Sequence, residues 1–216
     1  MLRILLIGRT GQLGWELQRT LAPLGEVVTY DYPEIDLAKP ASLPALVQAV
    51  HPQVIVNAAA YTNVDKAESE AELARQINAI SPGVLAEEAK RLGAAFIHYS
   101  TDYVFDGQKG LPYVESDAPH PLNVYGQTKL EGEQAVQAAG GAYLILRTSW
   151  VYSMRQGGFV TKVLQWAREQ ETMRVVDDQI SSPTWARMLA EATALVIAQG
   201  REDPMGYLRE KAGLYH

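Results

Sequence analysis

Tyr125 and Lys129 lie four positions apart in "NVYGQTKLEGE" (123–133), the spacing that puts two side chains on one face of a helix. A free tyrosine titrates near 10, and a neighbouring ammonium favours its phenolate. Such a phenol can hand a proton to a carbonyl oxygen as a hydride reaches the carbon. Thr101 stands 24 residues earlier, at the end of the apolar run in "HYSTDYVF". There it would polarise the carbonyl and hold the phenol, although a hydroxyl at a strand end can also simply cap it. Together the three residue types point to acid-assisted reduction of a ketone, which needs a hydride donor.

The N-terminus offers a place for one. "MLRILLIG" leads into "GRTGQLG", with glycines at 8, 11 and 14. In a strand–turn–helix setting, Gly8 makes the tight turn and Gly11 lets the backbone approach a pyrophosphate. Gly14 lets the helix pack close, and the free N–H groups of that helix face the anion. Thr10, Gln12 and Leu13 complete the loop and count with its cofactor contacts. Asp31 follows Gly11 by 20 residues, the spacing of an acid on the adenosine ribose. Arg9 sits in the same loop, where it would meet a 2′-phosphate. The two residues point to different cofactors, so NADH and NADPH both stay open.

These residues need a frame, and the chain supplies its pattern. Short apolar runs ("RILLIG", "EVVTYD", "QVIVNAAA", "AAFIHYST", "AYLILRTS", "MRVVDD") alternate with helical stretches near 12–22, 40–50, 69–92, 121–139, 158–170 and 184–199. Strands apolar almost throughout are buried on both faces of a parallel sheet. The expected fold is therefore α/β, a Rossmann-like doubly wound parallel sheet. Pro82 is expected to kink or split the third helix, and 102–120 is the long irregular loop.

Composition narrows the function class. The 216 residues carry a net charge of −6, with 47% hydrophobic and 20% charged residues and no cysteine. That composition is globular, and it gives no electrostatic reason for a nucleic-acid or membrane partner. Thiol chemistry and zinc–thiolate sites are excluded. The first apolar run is too short for a span or a signal peptide, so a cytoplasmic protein is expected. His98 reads as a strand residue, and Asp177 and Asp178 read as a solvated turn. "FVTKVLQWAREQ" reads as core packing or a subunit face, so a homodimer is a candidate assembly.

"GRTGQLGWEL", "NAAAYTNVDKAE", "STDYVFDG", "NVYGQTKLEGE" and "LRTSWVY" together resemble the dTDP-4-dehydrorhamnose reductase family of extended short-chain dehydrogenases/reductases. The resemblance covers nearly the whole chain, in order. It implies NAD(P)H-dependent reduction of the 4-keto group of a nucleotide-linked deoxysugar, with Thr101, Tyr125 and Lys129 catalytic and Lys129 also on the nicotinamide ribose. It further implies cofactor contacts at Asp36, Leu37, Ala59, Ala60 and Tyr61. Thr62, Val64, Tyr103 and Trp150 would face the sugar nucleotide. Related dehydratases carry a second acid after the threonine, where this chain has Tyr103, which favours simple reduction.

Two departures from the family pattern shape the expectations. Some members bridge subunits with a divalent metal held by acids. Glu16 matches one such position, but Arg187 replaces another, so no metal is expected. The chain also stops at "KAGLYH", earlier than family members do. The expected organisation is therefore a cofactor domain over 1–150 and a small, incomplete substrate region over 151–216, interleaved with it. The end reads as an apolar strand without a partner, which implies cofactor binding with weak turnover or none. The rival reading from another class is a non-catalytic dinucleotide-binding subunit, similar to the β subunit of methionine adenosyltransferase.

Overall fold

In the computed structural model, which describes residues 1–155, 158–200 and 203–216, alternating strands and helices build one twisted parallel sheet. The strands are β1 (Leu2–Ile7), β2 (Gly25–Tyr30), β3 (Val54–Asn57), β4 (Ala95–Thr101), β5 (Ala142–Thr148), β6 (Val151–Tyr152), β7 (Thr184–Trp185) and β8 (Gly213–Tyr215). The helices are α1 (Gln12–Leu21), α2 (Leu43–Val50), α3 (Val64–Ala67), α4 (Ala71–Arg75), α5 (Ser81–Leu92), α6 (Val124–Ala139), α7 (Phe159–Glu169), α8 (Ala186–Gln199) and α9 (Pro204–Glu210). The main sheet runs β2-β1-β3-β4-β5-β8, and β6 pairs with β7 separately.

Both faces of the sheet are buried, which is why its strands read as unbroken apolar runs. Ile4, Leu6, Val54, Val56, Ile97 and Leu144 point to one side, against Leu13, Leu17 and Leu21 of α1 and Ala190 and Ile197 of α8. Leu5, Ile7, Ile55, Phe96 and Ile145 point to the other, against α2, α5 and Val136 of α6. Successive strand residues face opposite ways, so each apolar run serves two helix layers. This is the expected doubly wound arrangement.

Two expectations change. "MRVVDD" forms no strand, and Val175 and Val176 are exposed. Its two-residue apolar run has no neighbour to pair with, and β6 pairs with β7 instead. The "GLYH" end does find a partner: β8 adds to β5 in parallel, with Leu144 opposite Gly213 and Leu146 opposite Tyr215. β8 thus lies beside β5 in the main sheet, after α9 packs against β5. The third helical stretch divides just before Pro82, as expected: α4 ends at Arg75, a π-helical stretch runs over Gln76–Ile80, and α5 begins at Ser81 with Pro82 in its first turn.

Candidate active site

The parallel register brings the reactive ends to one edge. Ile7, Asn57 and His98 stand side by side across β1, β3 and β4. The glycine loop after β1, the turn after β3 and Thr101 at the end of β4 therefore leave the sheet together. This carboxyl edge is where open α/β sheets bind ligands.

The glycine loop fits a pyrophosphate by its own sterics. Gly8 has φ +90, and a Cβ there would lie 2.8 Å from the Ala59 nitrogen. At Gly14 a Cβ would lie 1.9 Å from the Gly8 carbonyl oxygen, so only glycine lets α1 come this close. No side chain caps the start of α1 at Gly11, which leaves its first N–H groups to an anion. The Gln12 side chain turns away, donating to the Val151 carbonyl (3.2 Å) and accepting from Ser153 Oγ (3.1 Å). Leu13 is buried in the core beneath the loop.

Asp31 staples the loop. Its Oδ2 accepts from the Thr10 backbone N–H (2.8 Å) and from Thr10 Oγ1 (2.7 Å), and its Oδ1 accepts from Tyr32 N–H. Burial raises its pKa, but the Thr10 and Tyr32 hydrogen bonds and the charge of Arg9 outweigh it and hold the carboxyl below its ordinary value. Arg9 donates to the Thr29 carbonyl (3.1 Å) and pairs with Glu34. Asp36 and Leu37 lie nearby: Asp36 pairs with Lys39 at 3.2 Å, and the carbonyl of buried Leu37 accepts from Ser81 Oγ at 2.6 Å.

The turn after β3 carries Ala59, Ala60 and Tyr61. Tyr61 donates its backbone N–H to Asn78 Oδ1 (2.9 Å) and its hydroxyl to Glu70 (2.6 Å). The Glu70 bond, with burial adding to it, pushes the Tyr61 phenol up to about 12. Asn78 belongs to the π-helical stretch and also donates to Thr128 Oγ1 on α6 (3.2 Å). Such bulges often sit at functional sites, and this one ties the cofactor-side turn to the helix of Tyr125.

Asn123 caps α6, accepting from Gly126 N–H at 2.7 Å. A Cβ at Gly126 would meet the Tyr103 carbonyl at 2.2 Å, so the helix start presses directly on the segment after β4. Thr101 Oγ1 accepts from Tyr103 N–H (3.2 Å) and donates to Asp102 (3.1 Å). Asp102 also accepts from Ser149 (2.8 Å) and Ser181 (3.1 Å). Burial pushes the Tyr125 phenol up to about 12, while a hydrogen bond with Thr101 pulls the other way. Tyr103 packs edge-on against Tyr125, with ring centroids 5.5 Å apart.

Lys129 behaves differently from the helix-face expectation. Its amine turns under β4, donating to the Tyr99 carbonyl at 2.7 Å, and lies 3.3 Å from His98 Nε2. Burial pulls its pKa down to about 8, with the charge of Glu133 opposing. The expected lowering of the phenol by an adjacent ammonium is thus replaced by a phenol–threonine contact, because the lysine follows the buried carbonyl.

Thr62 is exposed and Val64 half-buried at the start of α3. Trp150 has φ +47, rare for a bulky side chain, and packs edge-on against Phe159 at 4.6 Å. Arg187 pairs with Glu191 at 3.0 Å.

Sequence reasoning missed the polar props: Asn57, Asn78, Asp102 and the side-chain role of His98, although His98 is the strand residue expected. It also missed the buried pair of Glu133 and Arg147, whose two bonds measure 2.8 and 2.6 Å. An arginine inside an apolar strand run was the available signal, since such a residue needs a buried acid.

A family model described as the RmlD substrate binding domain matches residues 2–216. The chain belongs to this family. The dTDP-4-dehydrorhamnose reductase of Burkholderia thailandensis is 48% identical over 216 residues, covering 100% of this chain and 72% of that protein. A dTDP-4-dehydrorhamnose reductase structure from Clostridium acetobutylicum superimposes with a TM-score of 0.88 at 38% identity, covering 92% of this chain and 71% of that one. The Bacillus anthracis reductase, solved in complex with NADP, has a TM-score of 0.86 at 37% identity, covering 91% and 70%. The Rossmann-like fold read from the alternation is therefore that of the RmlD family. Among the described residues, no helix is long and apolar enough to cross a membrane.

Proposed function

We propose that this RmlD-family chain reduces the 4-keto group of dTDP-4-dehydro-L-rhamnose to give dTDP-L-rhamnose, with NADPH or NADH as reductant. The observation that carries this reading is a glycine loop shaped for a pyrophosphate at the carboxyl edge of the sheet, where Thr101 ends β4 and Tyr125 stands in the first turn of α6. The names of relatives 48% identical over the whole chain support the substrate, and the NADP bound by the Bacillus anthracis reductase supports NADPH.

The loop residues Gly8, Thr10, Gly11, Gln12, Leu13 and Gly14 hold the dinucleotide phosphates. Asp31, Asp36, Leu37, Ala59, Ala60 and Tyr61 flank its remainder. Bound there, the nicotinamide supplies a hydride to C4 of the sugar. Tyr125 gives its proton to O4, since a phenol held near 12 is protonated at neutral pH and ready to donate. Thr101, itself held by Asp102, orients the phenol and the carbonyl. Lys129 places its charge by the nicotinamide ribose. Thr62, Val64, Tyr103 and Trp150 grip the sugar nucleotide.

Within the same proposal, residues 1–150 form the cofactor side. Residues 151–216 serve the substrate side while lending α8, α9 and β8 to the sheet. A cytoplasmic homodimer completes the proposal, and light scattering checks the dimer.

Mixing the purified chain with NADPH and the keto sugar tests the activity, and calorimetry on the same sample reads cofactor binding. Tyr125→Phe should lower kcat by ~10²–10⁴-fold with cofactor affinity little changed. A Tyr125→Phe enzyme as fast as the parent would remove the phenol from the mechanism.

A further inference from the structure

Between Lys129 and the turn beside the glycine loop stands a buried imidazole that the reduction leaves without a role. His98 is fully enclosed in β4 and stacks on Phe96, with centroids 5.9 Å apart. Its Nε2 lies 3.3 Å from Lys129 Nζ, and its Nδ1 lies 3.3 Å from Asn57 Nδ2. Asn57 Oδ1 accepts from Ala59 N–H at 3.2 Å, and the Ala59 backbone is what a side chain at Gly8 would strike. An unbroken polar chain thus runs from the lysine to the wall of the glycine loop.

Proton counting constrains this chain. Burial, reinforced by the charge of Lys129, holds the His98 pKa well below its ordinary value. The ring is therefore neutral, with one N–H and one lone pair. When Lys129 is an ammonium it can only donate, so Nε2 must accept and Nδ1 carries the proton. Nδ1–H then needs an acceptor, which Asn57 provides only if its amide turns Oδ1 toward the ring and releases Ala59 N–H. When Lys129 is a neutral amine, Nε2–H donates to it, Asn57 Nδ2 donates to Nδ1, and Oδ1 keeps Ala59 N–H. The second pattern matches the Asn57 orientation in the structure.

We infer that His98 is a positioning residue whose ring couples the proton of Lys129 to the Asn57 amide, and through Ala59 to the turn packed on the glycine loop. The inference rests on the assignment of Lys129 to the nicotinamide ribose. Lys129 is faced by the Tyr99 carbonyl and His98 of β4 and, on its own helix, by Glu133, with Tyr125 one turn back. Arg147 of β5 neutralises Glu133. His98 is faced by Asn57 of β3, Lys129 of α6 and the Phe96 ring, so among the described residues no other charged group competes for its nitrogens.

Ring-nitrogen NMR of histidine-labelled protein, from about pH 6 to about pH 10, reads the tautomer directly. In the wild type the proton should sit on Nδ1 at the acid end and move to Nε2 as Lys129 titrates near 8. Lys129→Met should keep Nε2–H throughout. A tautomer constant with pH in the wild type, an imidazolium at the acid end, or a switch that survives in Lys129→Met would each overturn the coupling. NADPH titration supplies a second readout. His98→Leu should bind about fivefold to tenfold more weakly, the worth of one hydrogen bond, and His98→Gln should recover most of that. Equal losses in both folded variants would mean that the ring only fills space. If the tautomer switched while the wild type failed to reduce the keto sugar, the coupling would stand and the proposed reaction would fall.

Discussion

Helices α1 and α7 have nearly the same length and both carry an apolar stripe, yet their fates differ. Leu13, Leu17 and Leu21 of α1 disappear between the sheet and α8. No residue of α7 is buried, and Phe159, Leu164 and Trp166 remain exposed. An amphipathic stripe states that a helix needs a partner, not where the partner is. Parallel strand pairing gives α1 one, because β1 and β2 flank it in sequence and the crossover lays it on the sheet. Helix α7 lies between β6 and β7 in sequence, and these form only a two-residue ladder.

The sharpest contrast lies between buried and exposed ion pairs. Glu133 and Arg147 are 2% and 5% exposed and doubly bonded, and Arg147 also stacks over Phe105 with its guanidinium carbon 4.9 Å from the ring centroid. Glu133→Gln leaves an uncompensated charge inside the protein and should cost ~3–5 kcal/mol in denaturant unfolding. The Arg187–Glu191 pair is about half exposed on both sides, so Glu191→Gln should cost no more than ~0.5 kcal/mol. Comparable losses from the two variants would show that burial does not govern these pairs.

Apolar truncation separates the two helices next. Leu17 has no exposed surface and Leu164 is 48% exposed. Leu17→Ala should therefore destabilise by ~2–5 kcal/mol, and Leu164→Ala should stay within ~0.5 kcal/mol. Chemical denaturation of both, at matched protein concentration, checks the ratio. A costly Leu164→Ala would mean that α7 is covered in solution, and a concentration-dependent midpoint would identify the cover as another copy.

The same contrast explains what could be read from the sequence. Five of the six apolar runs became strands because each carries enough β-branched or aliphatic residues to face two helix layers. The sixth, "MRVVDD", had only Val175 and Val176, and both are exposed. The positions of Thr101 and Tyr125 were legible because the end of β4 and the start of α6 fix them locally. The direction of Lys129 was not legible. It depends on the Tyr99 carbonyl and the His98 ring, brought close by strand register and by the fit of α6 against Tyr103 at Gly126. Asn57 and Asn78 were hidden for a similar reason, since each bonds to groups that only the tertiary fold brings near. The pairing of β8 with β5 likewise depends on α9 turning the chain back to the sheet.

The last of these expected effects concerns Lys129, where function and stability pull apart. Burial lowers its pKa from 10.5 to about 8, so below about 8 the folded chain carries a poorly solvated ammonium. Between about 8 and 10.5 the unfolded chain binds this proton and the folded chain does not. Stability therefore rises with pH across that window as far as this group is concerned. Lys129→Met removes the buried charge but leaves the Tyr99 carbonyl without its donor. At roughly 1.4 kcal/mol per pKa unit, less a lost hydrogen bond of about 1 kcal/mol, the variant should gain ~2–3 kcal/mol near neutrality. That advantage should shrink as pH climbs from about 8 toward 10.5, because the wild-type amine loses its charge. Unfolding curves of both proteins at the two ends of this window measure the change. An advantage that stayed constant, or no advantage at neutral pH, would mean that the ammonium is better solvated than its enclosure by β4 and α6 implies.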